Sequence, residues 1–119
     1  MAMPVATAFA QEWVQAWNRR DLESLLSHYS EDVEFRSLLV AKILGEPAGA
    51  IVGKAQLRDY FQKVLAAFPG EPGIELLSVY QGVSSLVVLF EIKGRRGAEL
   101  IEFDANGAVC RAYAHGQAV

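Results

Sequence analysis

The residue whose neighbours point most clearly to chemistry is Glu99, in the run Ala98-Glu99-Leu100-Ile101-Glu102-Phe103. Strand alternation sends Glu99, Ile101 and Phe103 to one face and Leu100 and Glu102 to the other. A carboxyl on an apolar face either stays neutral with a raised pKa or finds a donor. Trp13 offers one in its indole N–H, and with Trp17 four residues on it occupies one face of a helix. Such a pair could orient a carbonyl-bearing molecule or move a proton beside the carbonyl. The other reading of Glu99 is a strand glutamate facing water or a partner.

Other reactive types are few. His115 ends the last strand in phase with Arg111 and Tyr113, which points it outward; a bulge would turn it into a pocket. His28 either pairs with Asp32 or faces water. Two distant histidines without an acid at ligand spacing predict no metal, and no phosphate loop, nucleophile elbow or Cys-x-x-Cys suggests a cofactor. Cys110 reads as a small core residue. Glu34, Glu46 and Asp59 read as surface charges.

These residues need elements to hold them. Pro4 suits a first helical turn, and Val5, Phe9, Trp13, Ala16 and Trp17 recur at three- and four-residue spacing. Asp21 can cap a second helix with Leu22, Leu25, Leu26 and Tyr29 as its buried stripe. A third begins near Gly53 or Lys54, turns Leu57, Tyr60, Phe61, Val64, Leu65 and Phe68 inward, and stops at Pro69-Gly70. After Pro72-Gly73 the period becomes two, with strands at about 74–81, 84–93, 97–104 and 108–115 and an earlier one at about 32–37. Gly94-Arg95-Arg96-Gly97 and Asp104-Ala105-Asn106-Gly107 read as hairpin turns, which implies an antiparallel sheet. The apolar segment 37–52 fits no period, and is either a mobile lid or a short buried helix or strand.

With 119 residues the chain suits a single domain, 1–119. A hydrophobic share of 52% against 21% charged residues leaves apolar surface for a pocket, an interface or both. The strand Leu86-Val87-Val88-Leu89-Phe90 is apolar on both faces, so its outer face is expected to be covered. A net charge of −3 with scattered cations argues against nucleic acid, and no apolar run is long enough to span a membrane. The single cysteine and the absence of a secretion signal point to the cytoplasm.

The run Trp13-Val14-Gln15-Ala16-Trp17-Asn18-Arg19-Arg20-Asp21-Leu22-Glu23-Ser24-Leu25-Leu26, closing on Tyr29-Ser30-Glu31-Asp32-Val33-Glu34-Phe35, resembles the nuclear transport factor 2-like superfamily. That group includes ketosteroid isomerases and SnoaL-like polyketide cyclases. The resemblance implies an α+β, cystatin-like cone, with three N-terminal helices packed on a strongly curved antiparallel sheet that encloses a pocket. It also implies a homodimer through the outer sheet face. Laid on the isomerase pattern from Asp21-Leu22, the tyrosine that hydrogen-bonds the substrate oxygen falls on Trp13 and the aspartate base on Ser37. Through Phe103 and the turn before Gly107, the second, protonated acid falls on Glu99. A serine cannot act as that base, so isomerisation by the family mechanism is not expected.

The function expected is therefore binding of a small hydrophobic ligand. The expected pocket comprises Trp17, Phe35, Ser37, Phe61, Val88, Phe90, Ile101, Phe103, Ala112 and His115, with Glu99 and Trp13 as the catalytic pair if a reaction occurs. The alternatives are a proton-transfer enzyme, whether isomerase, cyclase or dehydratase, and a structural dimerisation module with a filled interior.

Overall fold

The computed structural model describes residues 5–68, 70 and 73–118. The expected helix start at Pro4 and the breaks at Pro69 and Pro72 lie outside these residues. Helix α1 (Ala6–Asn18) buries Phe9, Ala10, Trp13, Val14 and Ala16, one face of a 3.6-residue period. Val5 precedes the helix and is exposed, not inward. Asp21 caps α2 (Leu22–Leu26), its carboxylate accepting from Ser24 N at 3.1 Å and Ser24 Oγ at 2.7 Å. Strand β1 (Tyr29–Arg36) follows.

The segment 37–52 holds regular structure: helix α3 (Leu38–Leu44) and strand β2 (Ala50–Val52). Four helices therefore replace the three expected. Ser37 Oγ accepts from Leu39 N at 3.1 Å to start α3, and Gly45 in the left-handed region ends it. The helix spans barely two turns with Val40 its one fully buried residue, so it leaves no amphipathic period to detect. Helix α4 (Lys54–Ala67) turns Leu57, Tyr60 and Phe61 inward, whereas Phe68 lies beyond its end and is exposed.

Strands β3 (Glu75–Gly82), β4 (Ser85–Ile92), β5 (Arg95–Phe103) and β6 (Val109–Gly116) form an antiparallel meander. The β4–β5 turn is Lys93-Gly94, both with positive φ, and the Arg95-Arg96 pair expected in it already belongs to β5. At the next turn the Asp104 carboxylate accepts from Asn106 N and Ala108 N. The six strands lie in the order β2-β1-β6-β5-β4-β3. The sheet is mixed and not purely antiparallel, because β1 pairs parallel with β6. Hairpin signals fix only sequence neighbours, and the β1–β6 pair joins the two ends of the chain.

One sheet face carries Leu86, Val88, Ile101, Phe103 and Ala112 into a core shared with Phe9, Trp13, Leu57 and Phe61 from the helices. The other face carries Val87, Leu89, Leu100 and Tyr113, all half-buried. Among the described residues no helix is long and apolar enough to cross a membrane.

Candidate functional site

Strand register puts the inner face in rows. Phe90, Gly97 and Gly116 are neighbours across β4, β5 and β6; one step deeper come Val88, Glu99 and Ala114; then Leu86, Ile101, Ala112 and, on β1, Phe35. Ser37 follows Arg36, whose partner is Tyr113, and so reaches the row of Ala114 and Glu99. Glu99 is thus set in the sheet with aliphatic side chains beside it.

Glu99 is 4% exposed, the one polar or charged residue buried among the described residues. Its Oε2 has no hydrogen-bond partner among them. Burial pushes its carboxyl up to about 8, so it is largely protonated at neutral pH. Trp13 does not supply the expected donor: its Nε1 donates to Tyr29 Oη at 3.3 Å. Tyr29 starts β1 beneath α1, so its hydroxyl meets the indole first.

Tyr60 was legible as an inward residue of its helix, and Tyr29, expected in the stripe of α2, is buried at the start of β1 instead, but neither was legible as a polar group of the site. Burial raises the phenol pKa of both, Tyr60 to about 12, and a negative charge on Glu99 adds to each shift. Ser37 acts on Tyr60 in the opposite direction. A buried carboxyl, two phenols, an indole and a hydroxyl therefore share one region, and a tyrosine at helical spacing gives no sequence sign of which group its hydroxyl will meet.

The apolar residues proposed around them are brought together. Phe61 lies at the centre, its ring centroid 5.0 Å from Trp17, 5.7 Å from Tyr29 and 5.8 Å from both Phe35 and Tyr60. Val88, Ile101, Phe103 and Ala112 are buried, while Trp17 and Phe90 are half-buried. His115 is corrected from pocket to surface. It pairs with Ala98 on the outer face, and the β5–β6 irregularity lies at Phe103, too far along to reverse it.

The surface readings of the other acids hold. Asp59 pairs with Lys63, and Glu34 accepts from Tyr113 Oη at 2.8 Å on the outer face. Cys110 is free and half-buried, its thiol pKa raised by burial. No three His, Cys, Asp or Glu among the described residues cluster as a metal would require.

An open groove of about 540 Å³ lies at the N-terminal end of α1 between Val5, Ala8, Phe9, Ser27, His28 and the turn at Asn106-Gly107-Ala108. His28 is half-buried there with its ring edge-on to Phe9, and burial lowers its pKa. None of the residues expected in the pocket lines this groove.

The sequence matches the SnoaL-like domain over residues 10–118. A crystal structure of a SnoaL-like protein of unknown function from Burkholderia thailandensis is 34% identical, with TM-score 0.87, over 94% of this chain and 93% of that one. An NTF2-like protein from Anabaena variabilis is 18% identical, with TM-score 0.72, over 95% and 87%. A candidate ketosteroid isomerase from Kribbella flavida is 19% identical, with TM-score 0.69, over 94% and 77%. The last two similarities show the fold alone. No curated protein matches the sequence.

Proposed function

This chain belongs to the SnoaL-like domain family, and we propose that it binds a small, mostly apolar molecule whose neutral polar end meets the Glu99 carboxyl. One observation carries the reading: a buried carboxyl oxygen without a partner, inside a core otherwise built of rings and aliphatic groups. An unsatisfied buried polar group costs stability, on the order of 1–3 kcal/mol, and nothing else in the core repays that cost. A ligand carbonyl or hydroxyl would satisfy it, because a neutral carboxyl both donates and accepts. Melting-temperature screens test this. Neutral aromatic ketones should stabilise the protein, the matching carboxylates should not, and Glu99→Leu should remove the distinction; equal stabilisation of wild type and variant would refute the reading.

Proton transfer is the second reading, favoured by a carboxyl that titrates near neutrality. In that case Glu99→Gln abolishes turnover and Glu102→Gln, on the outer face, leaves it intact. Two further parts of the proposal concern setting. A second copy of the chain would cover the outer face of Val87, Leu89, Leu100 and Tyr113, tested by a sedimentation mass twice the monomer at micromolar concentration. The single free cysteine suits a reducing cytoplasm.

A further inference from the structure

Glu99 is nearly inaccessible, so a ligand needs a way to it, and the inner face differs sharply along its rows. Deeper than Glu99 the row is Leu86, Ile101, Ala112 and Phe35, all buried. In its own row β6 contributes only Ala114, and one step toward the strand ends β5 and β6 contribute only Gly97 and Gly116. A Cβ on Gly116 would meet nothing within 4 Å, so the sheet floor there is open. A Cβ on Gly97 would instead stand 2.5 Å from Phe90 Cζ and 2.7 Å from Cε2. The Phe90 ring therefore lies directly across β5 at Gly97, one step from Glu99 on the same face. The same ring meets Trp13 at 5.8 Å, in an edge contact at 61°. Across the floor from Phe90, Ser37 opens α3 in the row of Ala114.

We propose that the Ala114–Gly116 floor, walled by Phe90 over Gly97 on one side and by Ser37 on the other, is the mouth through which a ligand reaches Glu99. Phe90 sets how thick an entrant can be, and Gly97 is what permits the ring to occupy that position. The bare backbone at Gly116 lets a planar group lie against the sheet, and the unpartnered carboxyl oxygen is the destination. This inference rests on the proposed binding role of Glu99 and adds the route and the residues that select.

The test uses two probes: prodan, a flat naphthyl ketone whose fluorescence reports its surroundings, and dimethylaminonaphthalene, the same rings without the ketone. Gly116→Val sets its Cβ where no atom lies within 4 Å, so it should keep the wild-type melting temperature and weaken prodan binding roughly tenfold. Gly97→Ala should weaken it by pushing the Phe90 ring into the mouth, and adding Phe90→Ala should restore it. Ser27→Val, in the groove beside His28, should bind as wild type does. If Gly116→Val and Gly97→Ala bind prodan normally while Glu99→Leu loses the preference for the ketone, the route is wrong and the role of Glu99 stands. Loss of binding in Ser27→Val alone also overturns the route. If wild type shows no saturable prodan binding, or Glu99→Leu keeps the ketone preference, the binding role falls and the route with it.

Discussion

Two polar regions of this molecule follow opposite rules. At the joint between α1 and α2, Asn18 Nδ2 donates to Ile74 O at 2.9 Å and Asn18 Oδ1 accepts from Ile74 N at 2.7 Å. Arg20 beside it donates to the carbonyls of Leu65 and Phe68 at the end of α4. These groups are exposed, yet each has the partners its chemistry asks for. In the interior, Glu99 is buried and one carboxyl oxygen has none. The joint uses polar groups to tie the ends of α4 and β3 to α1, and even holds Arg20 at a positive φ to do so. The interior holds a polar group at a cost in stability, which is what a binding site does and a clasp does not.

The sharpest way to break this contrast is to measure stability against pH. The folded pKa of Glu99, about 8, lies above its ordinary value of 4.5, so the folded state holds a proton that the unfolded chain releases. The stabilising contribution is complete below pH 4.5 and is lost as pH rises through 8, a change on the order of 4–5 kcal/mol in denaturant unfolding. Glu99→Leu should flatten that slope and be the more stable protein at pH 8. Asn18→Leu should act in the other direction at every pH, costing about 2 kcal/mol by removing both bonds to Ile74. Arg20→Ala should cost about 1–2 kcal/mol by freeing two helix-end carbonyls, and Arg20→Gly less, because glycine accepts the left-handed backbone. Smallest of all is Glu102→Gln, which breaks an exposed pair with Arg111 and should leave the melting temperature unchanged.

The sequence showed the interior better than its connections. Alternation along β5 put Glu99 inside because its neighbours Ile101 and Phe103 are large and apolar, a signal the structure reproduces. The caps at Asp21 and the turn at Asp104 were legible because each is a local hydrogen bond. The parallel contact of β1 with β6, the partner of Trp13 and the clasp of Asn18 on Ile74 were not, since each joins residues far apart in the chain. Helix α3 escaped for a different reason: Leu38 at its start is 79% exposed, so burial and hydrophobicity part company there.

Everything that separates the interior from the joint turns on the protonation state of one side chain. A carbon-detected NMR titration of the Glu99 carboxyl, assigned by comparison with Glu99→Gln, measures that state directly. The midpoint predicted is about 8. A midpoint at the ordinary glutamate value of 4.5 would contradict the account, since a carboxyl that ionises there cannot be both buried and without partners.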